Sequence, residues 1–168
     1  MRASMARLLI LGGGERGRWL AGASVAEGYV ARVVTRAEAN RPAIEAAGAE
    51  CWIGDPCRLA TVVGALDGVA IVCWLLGTAG GPEEQVRAVH GARLQTFLDE
   101  AVDTTMRGFV YEAAGTVPAD LLAAGAAIAA GVTGLNSIPL RTIDAAPAER
   151  ERWREQAAGA VDSLLSGD

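Results

Sequence analysis

Leu8-Leu9-Ile10-Leu11 runs without a polar break into Gly12-Gly13-Gly14-Glu15-Arg16-Gly17. An apolar run too short for a helix, joined to G-x-G-x-x-G and then to helix-compatible residues, is the strand–turn–helix entry of a βαβ unit. Each patterned glycine answers a different steric demand. Gly12 permits the sharp turn off the strand, Gly14 lets an anion approach the backbone, and Gly17 lets the helix pack tightly on the sheet. Gly13 lies outside the pattern and is expected only to loosen the turn. The amides that open the helix point at an anion, and the helix field favours each negative charge there by roughly 0.3–1 kcal/mol. Glu15 falls in the same first turn, where a carboxylate suits the dipole. A bare strand-to-helix turn would also use glycines, but strand and helix signals on both sides favour a dinucleotide pyrophosphate as the anion.

A second apolar run, over 29–35, ends in Thr35-Arg36. An acid at that position would bind a ribose 2′-hydroxyl and repel a 2′-phosphate. A guanidinium offers a planar set of donors to the phosphate instead. Arg36 therefore predicts NADP(H) in preference to NAD(H), with Arg16 reaching the same region from within the loop. Two solvated arginines are the plainer alternative.

Strand and helix signals alternate along the rest of the chain. Strands are expected over 6–11, 29–35, 49–53, 69–76, 107–112 and 138–144. Helices are expected over 16–27, 37–47, 56–66, 83–102, 121–131 and 148–165. Asp55 and Pro56 have the N-cap and N1 chemistry of the third helix. The unbroken apolar run over 69–76 suits a central parallel strand covered on both faces. This alternation implies right-handed crossovers and an α/β fold with a doubly wound parallel sheet of about six strands, a single Rossmann domain over 1–168. In the order 3-2-1-4-5-6, the ligand crevice lies at the carboxyl ends of strands 1 and 4. Gly12, Gly14, Gly17, Arg36, Asp55 and Trp74 all fall on that edge. Asp55 either hydrogen-bonds the adenine or caps its helix. Trp74 either walls the nicotinamide ribose or packs in the core.

All fifteen basic residues are arginine, which removes a Schiff-base lysine, a P-loop lysine and a tyrosine–lysine pair. The net charge of −5, without a basic cluster, argues against nucleic acid and anionic membrane surfaces. The apolar run over 8–11 is too short for a signal peptide, and no run approaches the roughly 20 residues of a membrane span. A cytoplasmic location is expected. Cys51, Cys57 and Cys73 form no C-x-x-C, and the lone His90 with Cys51 and Cys57 offers only an improvised metal site, so no metal is assigned. The charge-free stretch 121–135 reads as a helix buried on nearly every side, in part by a second subunit, so a homodimer is expected.

The glycine loop, Thr35-Arg36, Gly54-Asp55 and the run Phe109-Val110-Tyr111-Glu112-Ala113-Ala114-Gly115-Thr116-Val117 together resemble the extended and atypical short-chain dehydrogenase/reductases, with NmrA-like NADP-binding proteins as the nearest branch. The resemblance covers roughly 6–117 and thins beyond it to Ile138-Pro139-Leu140-Arg141 and a helix; the family's later substrate-pocket segment has no counterpart here. In catalytic members of that family the fifth strand ends in serines and the next helix carries Tyr-x-x-x-Lys. Ala113 and Ala114 stand at the serine positions, and no tyrosine follows Tyr111. The resemblance thus implies an NADP(H)-binding protein without the usual dehydrogenase apparatus, a redox sensor or regulator, and no catalytic residue is assigned. The alternative is an NADPH-dependent reductase of a flavin- or quinone-like acceptor, since hydride transfer to an electron sink asks mainly for proximity and orientation. Tyr111, Glu112, Thr116 and His90 would then be the proton carriers to test, although a carboxylate at Glu112 reads more simply as a solvated loop group.

Overall fold

In the computed structural model, which describes residues 6–167, the opening apolar run is β1 (Arg7–Leu11), at the centre of a six-stranded parallel sheet. Alternate residues of β1 serve opposite faces, as the two-residue period of a strand requires. Leu8 and Ile10 enter one core cluster, and Leu9 and Leu11 the other. β1 pairs with β2 (Val30–Thr35) on one side and with β4 (Val69–Trp74) on the other, and β3 (Glu50–Ile53), β5 (Gly108–Glu112) and β6 (Leu140–Ile143) complete the order β3-β2-β1-β4-β5-β6. The doubly wound sheet expected from the alternation is the one observed. Its switch point falls between β1 and β4.

One face is covered by α1 (Glu15–Ala26), α2 (Arg41–Ala46) and α6 (Arg150–Ser166), which bury Leu20, Ile44 and Trp153 among others. The other is covered by α4 (Ala92–Ala101) and α5 (Ala119–Leu135), with Phe97, Leu98 and Ala129 against Trp74 and Phe109. Complete burial of each Leu, Ile or Phe contributes about 1.5–3 kcal/mol, so both clusters hold the helices against the sheet.

Three expected elements differ. The segment after Asp55 is not one helix but a turn followed by 3-10 turns at Leu59–Thr61 and Val63–Leu66. Thr61 explains the difference: its hydroxyl donates to the Arg58 carbonyl (2.7 Å) and accepts from the Asp55 amide (2.8 Å), while its carbonyl accepts from the Trp52 indole (2.8 Å). Side-chain bonds to local backbone compete with a helical ladder, and here they win. The helix expected over 83–102 is two, α3 (Glu83–Val89) and α4, broken at His90-Gly91. Finally, α5 is not enclosed. It buries Leu121, Leu122, Gly125, Ala129, Val132 and Thr133, but its outer face presents Ala123, Ala127, Ala130 and Gly134 to solvent, and Leu135 is 89% exposed. No helix among the described residues is long and apolar enough to cross a membrane.

Candidate functional site

The glycine loop connects β1 to α1 and forms the floor of a cleft of about 310 Å³. Gly12 has φ +130°, a conformation that side-chain-bearing residues avoid, and a methyl group there would lie 2.6 Å from the Leu75 carbonyl. A methyl group at Gly17 would overlap the Gly12 carbonyl oxygen, so this glycine sets the close approach of helix to strand. Gly13 is not a loosening residue. A β-carbon on it would come within 2.7 Å of the Thr35 side chain, because the loop passes directly over the end of β2. Arg18 fixes the loop from the other side, donating to the Gly13 carbonyl at 2.8 Å.

Gly14 is different. Nothing lies within 4 Å of the β-carbon it lacks, and its φ of −77° suits any residue. It is the N-cap of α1 and provides no side-chain cap. The first intrahelical bond is Arg18 N–H to the Gly14 carbonyl (3.0 Å). Helix geometry therefore leaves the amides at 14–17 without an intrahelical acceptor. These are the groups that hold an anion at a helix start.

The second wall comes from the end of β2. Thr35 is buried and lines the cleft, and its hydroxyl oxygen accepts from Asn40 Nδ2 (2.9 Å) and the Ala37 amide (3.3 Å), bonds that leave its own proton uncommitted. Arg36 lines the cleft, is exposed, and makes no hydrogen bond or ion pair among the described residues. Asp55 also lines the cleft, but it caps no α-helix: its Oδ1 accepts from the Cys57 amide (2.9 Å) in a tight turn. Asn40, Thr78 and Gln85 also line the cleft without a signal in the sequence, since each sits in a loop or short helix without periodicity, and Cys57, considered above only as a metal ligand, lines it as well.

Arg16 lies at the inner end of the same cleft, but its guanidinium does not reach towards Arg36. It forms a two-point ion pair with Glu112, Nε to Oε2 and Nη2 to Oε1, both at 3.0 Å, donates to Thr78 Oγ1 at 3.1 Å, and sits 5.5 Å over the Trp153 ring. Glu112 is 0% exposed and is not a solvated loop group. Its oxygens also accept from the Gly77 amide (2.8 Å) and the Trp153 indole (2.8 Å). Four donors from three separate parts of the chain satisfy the charge, as a buried carboxylate requires. Trp153, which carried no sequence signal, is thus a structural partner of the site.

Two expected cofactor contacts are placed elsewhere. Glu15 does not line the cleft; its carboxylate pairs with Arg154 (3.1 Å) and Arg150 (3.7 Å) on α6. Trp74 is fully buried and does not line the cleft, its indole donating to the Val89 carbonyl (3.1 Å) and its ring 5.0 Å from that of Phe97. An alternating strand sends its last residue to one face only, and Trp74 faces the helices.

His90 and Tyr111 form a buried pair below the cleft. His90 Nε2 lies 2.8 Å from the Leu76 carbonyl, which can only accept, so Nε2 carries the proton and Nδ1 accepts from the Tyr111 hydroxyl at 2.6 Å. Burial lowers the His90 pKa and raises that of Tyr111 well above the usual phenol value. Burial also raises the thiol pKa of Cys51 and Cys57 and pushes Cys73 up to about 12. Among the described residues no group of three or more His, Cys, Asp or Glu side chains gathers into a metal-binding set.

No protein-family model and no functionally curated protein matches this sequence. Solved structures do match in fold. UDP-glucuronic acid 4-epimerase from Bacillus cereus, solved with NAD, aligns with TM-score 0.65 at 13% identity, covering 81% of this chain and 54% of that one. A short-chain type dehydrogenase/reductase from Mycobacterium ulcerans aligns with TM-score 0.68 at 17% identity, over 84% and 67% of the two chains. A short-chain dehydrogenase from Streptomyces avermitilis aligns with TM-score 0.66 at 17% identity, over 98% and 84%. The chain spans about half the length of the epimerase. At these identities the likeness is one of fold, that of the short-chain dehydrogenases and related epimerases.

Proposed function

We propose that this chain binds NADP(H) at the carboxyl ends of β1 and β2 and acts as a regulator, without hydride chemistry of the serine–tyrosine–lysine kind. One observation carries the reading: Gly14 faces open space at the start of α1, and the unengaged guanidinium of Arg36 lines the same cleft. A glycine that the fold does not need, beside a cation with no protein partner, is what a phosphorylated adenine dinucleotide requires. Such a coenzyme, when bound, would supply hydride chemistry at its nicotinamide. The chain's own contribution is to hold its phosphates on the amides at 14–17 and its 2′-phosphate on Arg36.

Support for the non-catalytic half comes from the end of β5. Ala113 and Ala114 offer no hydroxyl, there is no lysine, and the Tyr111 phenol is bound to His90 inside the core. The carboxylate of Glu112 is held by four donors and has no free position from which to pass a proton. A regulator needs different affinities for ligand in two states, since tight binding alone shifts no equilibrium. The small-residue outer face of α5 supports a homodimer; sedimentation at the mass of one chain would contradict that part of the reading.

The test is calorimetric titration of wild type and Arg36→Glu with NADPH and NADH. Charge reversal is expected to weaken NADPH by about tenfold or more and NADH by about twofold or less. Equal weakening of both would mean that Arg36 is only surface charge, and no binding of either by wild type would end the reading.

A further inference from the structure

In an open α/β sheet a dinucleotide straddles the switch point, one nucleotide over the strands on each side. The two sides are unlike in this molecule. The walls of the cleft come only from residues between Gly12 and Val89, and neither β5, β6 nor the loops after them contribute any. Its volume of about 310 Å³ is at the bottom of the range of about 300–1,000 Å³ usual for ligand pockets.

Where β4 meets β5 protein atoms occupy the sheet edge, and beyond them lies only a small cavity of about 120 Å³ between Arg16 and Trp153. The carboxylate of Glu112 stands at the carboxyl end of β5 and ties together Arg16 of α1, the Gly77 amide after β4 and the Trp153 indole of α6, all within 2.8–3.0 Å. The loops after β4 and β5 are in backbone contact: a methyl group on Gly77 would overlap the Ala114 carbonyl, and one on Gly115 would overlap the Gly77 carbonyl. The Val117 amide donates to that Gly77 carbonyl at 3.0 Å. Arg16 projects from the first turn of α1, beside the amides proposed to hold the phosphates, so the plug begins where a pyrophosphate would end.

We infer that the cleft recognises only the 2′-phosphorylated adenosine diphosphate half of its ligand and leaves the second nucleotide in solvent, past Thr78 and Gly80. The inference rests on the reading that the cleft takes a 2′-phosphorylated adenine dinucleotide. It narrows the ligand class to molecules with that half, whatever they carry beyond the second phosphate. The protein then follows the amount of such nucleotides and not their redox state.

The experiment is calorimetric titration of the whole chain with three probes: 2′-phospho-ADP-ribose, NADP⁺ and NADPH. Their dissociation constants are expected to agree within about threefold. The nicotinamide emission of NADPH is expected to keep its free-solution wavelength on binding. If NADP⁺ or NADPH binds about 30-fold or more tightly than 2′-phospho-ADP-ribose, or if the emission shifts to the blue, the second nucleotide is held and the inference fails while the cofactor reading stands. If none of the three binds, both fail.

Discussion

Gly12, Gly14 and Gly17 share one motif, yet the structure separates the two glycines that the fold requires from the one that it does not. Replacing Gly12 or Gly17 forces backbone overlap or a strained φ. Replacing Gly14 meets no protein atom at all. Gly14→Ala is therefore expected to change unfolding free energy by no more than about 1 kcal/mol, the scale of an N-cap substitution. Affinity for NADPH should fall by about tenfold or more, because the methyl group stands where the phosphates approach. Chemical denaturation and calorimetry on the same preparation check both halves; unchanged affinity would mean that nothing uses the space above Gly14. The motif and Arg36 were legible because their chemistry is local. Glu112 was not: its burial depends on Arg16, Gly77 and Trp153, which lie 96, 35 and 41 residues away and acquire meaning only when folded together.

At the scale of elements, the six strands and their order follow from apolar runs of strand length separated by helical patterns, a signal that periodicity carries well. Two connections depart from the helical pattern for one reason. Thr61 and His90 make side-chain hydrogen bonds to groups that no helical pattern reveals, and each interrupts a stretch otherwise compatible with a helix. The His90 break also sets a pH dependence. Burial holds its pKa in the native state below the roughly 6.5 of an unfolded chain. Above that value the ring is neutral in both states and its contribution is intact. Below it the unfolded chain takes up a proton that the native state refuses, so stability falls as pH falls, by at most about 1.4 kcal/mol per unit from this group. Glu50 is also a pH-sensitive group; its partial burial is outweighed by Arg7 and Arg32, which hold its carboxyl low, so its loss lies below about pH 4.5. Urea midpoints between pH 7.5 and 5 isolate the histidine. The slope is expected in wild type and absent in His90→Gln, and an equal slope in both would remove His90 as its source.

For the whole molecule, a doubly wound sheet places one open crevice at its switch point, and this chain furnishes the two halves of that crevice differently. The β1–β2 side has a bare helix start, an open glycine and an unpaired guanidinium. Where β4 meets β5 the edge is closed by an ion pair with a buried carboxylate and by two loops in contact. Breaking such a pair by removing one partner costs about 3–5 kcal/mol, which makes the closed side a fixed part of the fold. Fold likeness to dehydrogenases and epimerases locates the crevice; the residues in it decide what it can hold. The most direct measurement is a crystal structure grown with excess NADPH. Phosphates are expected on the amides at 14–17, with the 2′-phosphate about 3 Å from the Arg36 guanidinium. A cleft left bare at saturating coenzyme, or a pyrophosphate bound away from the start of α1, would contradict that expectation.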